Sequence, residues 1–232
     1  MHETEEAVYA LIARVLLSGQ LTAGAQLVET RLAAVFGLSR ERIRKILQRL
    51  GHERLLELVP NRGAFVASPS LTQAREIYEA RRILEGGIAG RLAGRLDDAQ
   101  VKALTAHGLR ERAAAKAGDR ACSIRLSGEF HLLLSECCGS ELIERQLQEL
   151  VSRTAMLVAF FESDTASSCA CDEHEQIVAA LCDGDAAAAI RTMHTHLSLI
   201  ETRLRPYAQP RAVADPGVVL EKAWRTERRG RR

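Results

Sequence analysis

Val8, Leu11, Ile12, Val15 and Leu16 recur three and four residues apart and predict an amphipathic first helix. Ser18-Gly19-Gln20-Leu21 and Ala23-Gly24 break it. A second helix is predicted over 29–36, with Leu32 and Val35 inward and Gly37 as the left-handed residue that closes it. Ser39 is placed to cap a third helix over 40–50, whose Ile43, Ile46, Leu47 and Leu50 form an apolar face. Leu55–Val59 and Ala64–Ala67, either side of Pro60-Asn61-Arg62-Gly63, read as a two-stranded wing. Helix, short glycine-containing turn and second helix make the helix-turn-helix pattern.

From Leu71 the strand signals vanish. Six helical stretches follow, over 71–96, 97–117, 119–138, 140–161, 172–183 and 185–205. Asp97-x-x-Gln100 and Asp172-x-x-Glu175 have capping-box spacing, and Gly139 and Gly184 punctuate the run. The fold class expected is mainly α: an N-terminal winged helix-turn-helix over 1–69 and an all-α bundle over 70–206, with its sites between helices. Residues 207–232 contain Pro, Arg and Gly without an evident period and are expected to be a flexible tail.

Composition narrows the function classes. No apolar run approaches the ~18–20 residues of a membrane span. The start of the chain is acidic where a secretory signal would be basic. A soluble, cytoplasmic protein with no membrane partner is expected. The six cysteines are expected to be reduced and mostly buried, with a redox role for Cys169 and Cys171 as the alternative.

The net charge of +2 conceals segregation: +2 over residues 1–67, −4 over 68–220 and +4 over 221–232. Within 40–49, Arg40, Arg42, Arg44, Lys45 and Arg49 face a single acid, Glu41, which is four residues from Lys45. A basic stripe on one predicted helix is the footprint of phosphate contact.

Leu27-Val-Glu-Thr-Arg-Leu-Ala-Ala-Val-Phe-Gly-Leu-Ser-Arg40, Ile43-Arg44, Leu47-Gln-Arg-Leu50 and Asn61-Arg-Gly-Ala-Phe-Val66 together resemble the winged helix of GntR-family transcription regulators. The resemblance, with the basic helix, implies double-stranded operator DNA as a partner. It points to Thr30, Ser39, Arg40, Arg42, Arg44, Arg62 and Gly63 as the contacting residues. An arginine at the start of a recognition helix can donate two bonds to a guanine edge, worth ~1–3 kcal/mol of discrimination. Glu41-Arg42 and Lys45-Ile46 replace the family's Thr-Pro and Glu-Ala, so the operator read here differs.

Arg81-Arg-Ile-Leu-Glu85, Glu129-Phe-His131, Glu173-His174-Glu-Gln-Ile177 and Met193-His-Thr-His196-Leu197 resemble the FCD effector domain of the FadR-type branch, in its six-helix VanR-like form. The resemblance implies a homodimer, usually a repressor, released by a small organic acid. It makes His131, His174 and His196 ligands of a divalent metal ion of the zinc or nickel class. Each of the three shares a helix face with apolar residues and is expected to point inward. Ser127 stands where the family usually has an Asp, and Glu129 lies on the wrong face to replace it. Arg81 is expected to bind the effector carboxylate, its alternative role being a helix pair with Glu85. Two other functions stay open: a metal-dependent enzyme using the three histidines, for which no carboxylate is expected on the right face, and a redox-sensing DNA-binding protein.

Overall fold

The computed structural model describes residues 2–162, 169–205 and 215–230. The chain divides into two compact units, residues 1–69 with 207–232, and residues 70–206.

The first unit begins with α1 (His2–Leu17), whose Val8, Leu11, Ile12 and Leu16 are completely buried. It continues through β1 (Gln26–Leu27), α2 (Glu29–Phe36), α3 (Arg40–His52), β2 (Leu56–Val59) and β3 (Gly63–Val66). Ser39 caps α3, its Oγ accepting from the Arg42 amide, and Ile43, Ile46, Leu47 and Leu50 are the buried face. The wing has one strand more than the pattern predicts. β1 pairs antiparallel with β3, giving the order β1-β3-β2. A two-residue strand is too short to show alternation, so the sequence gives no sign of it.

The same unit holds a second departure. Within the segment expected to be a flexible tail, 207–232, the described residues form α10 (Pro216–Gly230). Leu220 is fully buried there, and the Trp224 ring meets Phe36 of α2 edge-on at 5.5 Å.

The second unit contains six helices among the described residues: α4 (Leu71–Leu92), α5 (Asp98–Lys116), α6 (Arg120–Cys137), α7 (Glu141–Phe161), α8 (Cys169–Asp183) and α9 (Ala186–Arg203). Ser70 with Gln73 and Asp97 with Gln100 form complete capping boxes, each closing two backbone amides that a helix start leaves unpaired. Asp172 and Glu175 do not form the box their spacing suggested. Both lie inside α8 and bind Arg112 of α5 instead, at 3.1 and 2.6 Å.

Helices α4 and α9 pack closely at Gly86 and Gly90. A Cβ on Gly86 would stand 2.4 Å from His194 Nε2, the atom that contacts the Arg82 carbonyl at 2.9 Å. That absent side chain sets the approach of the helix carrying Arg81 and Glu85 to the one carrying His196. The core around them includes Tyr78, Ile88, Phe130, Leu134, Leu147, Ile177, Met193 and Leu197. Of the described cysteine side chains, Cys138 and Cys171 are buried, Cys122 and Cys137 half-buried and Cys182 exposed, so burial is less general than expected; all five are free thiols. The expected alternative of a redox pair between Cys169 and Cys171 rests on the Cys169 side chain, which lies outside the described residues. No helix is long and apolar enough to cross a membrane among the described residues.

Candidate functional site

The basic helix α3 presents its charges through acidic neighbours. Glu29, in the first turn of α2, receives both arms of Arg44: Nε to Oε1 and Nη2 to Oε2, each 2.8 Å. Arg40 Nη2 is 3.9 Å from the same carboxylate and 64% of its side chain is exposed, so it is the looser partner. Arg42 pairs with Glu5 at 3.0 Å, and Glu41 with Lys45 at 3.4 Å. Thr30 and Ser39 are exposed beside this group. Arg62 and Gly63 are exposed at the wing turn, where the Arg62 carbonyl accepts from Gln26 Nε2 at 2.7 Å. The structure thus gathers Thr30, Ser39, Arg40 and Arg44 around the junction of α2 and α3. Glu29, which orients Arg44, was not singled out from the sequence.

In the helical unit, His131 of α6, His174 of α8 and His196 of α9 are each 1% exposed. Their Nε2 atoms converge: His196 Nε2 is 3.2 Å from that of His174 and 3.3 Å from that of His131. Behind each ring stands a carboxylate at Nδ1. Glu111 of α5 faces His174 at 2.9 Å, and Glu173 of α8 faces His196 at 2.7 Å. Glu85 Oε2 of α4 lies 2.5 Å from His131 Nδ1, a close contact without hydrogen-bond alignment. Phe130 stacks on His174 with centroids 3.9 Å apart and fixes the plane of that ring.

The expectation that no carboxylate would lie on the right face is therefore corrected. Three carboxylates reach the cluster, from three helices, each directed at an imidazole Nδ1. Glu129, as expected, does not; it pairs with Arg125 in α6.

The charges around the cluster are interlocked. Arg81 Nε donates to Glu85 Oε1 at 2.6 Å, and its Nη1 donates to Thr154 Oγ1 of α7 at 3.0 Å. Burial works to raise the Glu85 carboxyl, but Arg81 and then His131 outweigh it and hold it at about 2. Glu173 is likewise brought below the ordinary carboxylate value against its burial, by His196 and Arg203. Burial lowers His131 to about 4 and His196 to about 3, in spite of the facing carboxylates. Both rings are therefore neutral near pH 7.

Arg81 also lines a cavity of about 50 Å³ together with Tyr78, Ser123, Ser127, His131 and Thr154. The Arg81 pair with Glu85 and its place in a cavity wall thus coexist. Three buried polar atoms there, Arg81 Nη2, Tyr78 Oη and Ser123 Oγ, have no hydrogen-bond partner among the described residues. All three can donate, which suits an anion or water. The sequence gives no site role to Glu111, Glu173, Tyr78, Ser123 or Thr154, and to Glu85 only that of a helix partner of Arg81.

Comparison with known proteins finds a separate match for each unit. Residues 4–66 match the profile "Bacterial regulatory proteins, gntR family", and residues 76–199 match the FCD domain. The chain is 25% identical over 204 residues to the HTH-type transcriptional repressor RspR of Escherichia coli K12, covering 87% of this chain and 89% of RspR. It is 25% identical over 212 residues to the HTH-type transcriptional regulator LutR of Bacillus subtilis 168, covering 82% and 96%. Among solved structures, Escherichia coli McbR/YncC has the same fold, with a TM-score of 0.69 at 19% identity over 84% of this chain and 94% of that one. With the FCD profile spanning more than half its length behind a winged helix of the matching kind, the chain belongs to the GntR family of bacterial transcription regulators, in the branch with an FCD domain.

Proposed function

We propose that this regulator is a homodimeric repressor whose helical unit holds a divalent metal ion and releases DNA on binding a small carboxylic acid. The observation that carries the reading is the convergence of three imidazole Nε2 atoms whose Nδ1 atoms all face carboxylates. A carboxylate hydrogen-bonded at Nδ1, as at His174 and His196, fixes the proton there and turns the Nε2 lone pair toward the centre, and Glu85 stands close enough to His131 Nδ1 to favour the same tautomer. Lone pairs set 3.2–3.3 Å apart repel unless a cation lies among them. With the single proton of each neutral ring on Nδ1, His131 and His196 present only lone pairs at Nε2 near pH 7. Two Zn–N bonds of about 2.0–2.1 Å at a tetrahedral angle bring their nitrogens to about 3.3–3.4 Å, so the spacing fits such an ion.

His131, His174 and His196 would hold the metal, which supplies a Lewis-acidic position beside the cavity. Arg81 would take the effector carboxylate, with Tyr78 and Ser123 donating the further bonds that their unpaired hydroxyls offer. A cavity of only about 50 Å³ favours a short acid. Ser127, on the same wall, leaves the site without the family's usual Asp, so the protein ligands here are neutral. A regulator is favoured over an enzyme because the three carboxylates near the cluster are already committed to the imidazoles. In the winged helix, Arg40 reads a base edge. Arg44, held by Glu29, and Arg42 contact phosphate, with Thr30, Ser39, Arg62 and Gly63 completing the interface.

Elemental analysis and thermal melts test the metal. Stoichiometric zinc or nickel should be found, and chelation should lower the melting temperature, because an ion bound to the folded state alone stabilises it by mass action. His174→Ala should melt lower and ignore chelator, and Ser127→Asp should raise the melting temperature of the loaded form. A metal-free protein indifferent to chelator, destabilised by Ser127→Asp, would instead hold three packed core histidines.

A further inference from the structure

α10 docks on the winged helix through one stripe. Gly217, Leu220, Trp224 and Glu227 are spaced three, four and three residues apart and share a helix face. Leu220 is buried and Trp224 meets Phe36. Arg31 of α2 lies across Gly217 so closely that a Cβ there would be 2.1 Å from its Nε. Its Nη1 pairs with Asp215 at 2.5 Å, while the other Asp215 oxygen caps the first turn of α10, accepting from the Gly217 amide at 2.8 Å. Glu227 takes Arg14 of α1 at 2.9 Å.

Docking thereby sorts the charges of this segment. Two of its three acids, Asp215 and Glu227, are turned inward onto arginines of α2 and α1. The third, Glu221, pairs with Arg225 one turn on, at 2.5 Å. Lys222, Arg225 and Arg228 recur every three residues along α10 and all three are exposed, Lys222 at the wall of an open groove that Arg14 and Ser18 also line. Lys222 and Arg228 have no acidic partner among the described residues. Residues 221–232 carry six bases against two acids, whereas residues 68–220 are net negative. A concentrated positive face fixed to the unit that binds DNA is matched by charge to a polyanion.

We propose that α10 is a further DNA-contacting element of the winged-helix unit, with Lys222, Arg225 and Arg228 binding the phosphate backbone independently of base sequence. Such contacts add affinity and salt dependence without changing which bases are read. The chain's single tryptophan, Trp224, sits in the docked stripe and reports by its emission whether α10 stays in place.

The test uses full-length protein and a mixed-sequence duplex of about thirty base pairs, with anisotropy read across a salt series from about 50 to 200 mM. The triple variant Lys222→Gln, Arg225→Gln, Arg228→Gln should bind more weakly at low salt. Its plot of log affinity against log salt should be shallower by about two to three, since each lost phosphate contact removes about 0.9. Trp224 emission should stay as in the parent chain. An unchanged slope with α10 docked overturns the proposal, including the case where the same variants lose binding to phosphatidylserine vesicles instead. Should the triple variant undock, Lys222→Gln alone, at an exposed position outside the docked stripe, decides the question: a slope shallower by about 0.9 supports the contact and an unchanged slope refutes it.

Discussion

Glu85 is the residue on which stability and site chemistry both depend, and Glu85→Gln separates them. The carboxylate is 1% exposed and touches two groups: Arg81 Nε at 2.6 Å through one oxygen and His131 Nδ1 at 2.5 Å through the other. The substitution keeps shape and removes charge. The Arg81 guanidinium, itself 3% exposed, is then left without a counterion, with only neutral acceptors such as the Thr154 hydroxyl and the new amide oxygen. Stranding one partner of a buried ion pair costs about 3–5 kcal/mol.

The second consequence concerns the proton on His131. If the new amide turns its oxygen to Arg81, its NH2 faces Nδ1, which must then accept. The proton moves to Nε2, the atom that should be a lone pair toward the metal. Loss of such an orienting partner costs about 10–100-fold in metal affinity. Urea unfolding of metal-free protein reads the first effect, competition with a chromophoric chelator reads the second, and imidazole nitrogen shifts report the tautomer directly. Thr154→Val is the control: it removes a bond from the same guanidinium, costs about 1–2 kcal/mol, and leaves metal affinity unchanged because His131 is not involved. If Glu85→Gln lowers stability while metal affinity and tautomer stay as in the parent, Glu85 is only a counterion for Arg81 and the orienting role is wrong.

The remaining predictions concern DNA and pH. Arg40, exposed and only loosely tied to Glu29, should lose ~1–3 kcal/mol of operator discrimination on Arg40→Ala, with little change on a scrambled duplex. Gel shifts on both duplexes at one salt concentration check it, and equal losses would remove the base-reading role. In chelator, stability should fall as pH drops. His131 and His196 have folded values of about 4 and 3, so below about 6.5 the unfolded chain takes up their protons first. Each should remove about 1.4 kcal/mol per pH unit until its folded value is reached. Glu85, held at about 2, adds a further loss between about 4.5 and 2. Urea midpoints from pH 7 to 4 measure this, and a flat profile between 7 and 5 would show that the buried rings do not resist protonation.

What was legible in the sequence follows a physical division. Elements that bury only apolar side chains could be read from periodicity: α1 by Val8, Leu11, Ile12 and Leu16, and α3 by Ile43, Ile46, Leu47 and Leu50. The three histidines also showed, because each falls on an otherwise apolar stripe and is buried there. Their carboxylate partners did not, since the distances joining Glu85 to His131 and Glu111 to His174 span 46 and 63 positions of chain. A local signal for Glu111 does exist. Leu104, His107, Glu111 and Ala114 are spaced three, four and three residues apart, and all four are buried. A carboxylate on such a stripe must have a partner, since an isolated buried charge is expensive. The helix α10 was hidden for the same reason. Two positions of its docked stripe are Gly217 and Glu227, a cradle for Arg31 and a counterion for Arg14, so apolar periodicity registers only Leu220 and Trp224. In both cases a helix face is buried through charge pairs made with distant residues. A reading that also scores acids and glycines on helical stripes, and asks which basic residue could complete them, would have placed Glu111 beside a histidine and α10 against the winged helix.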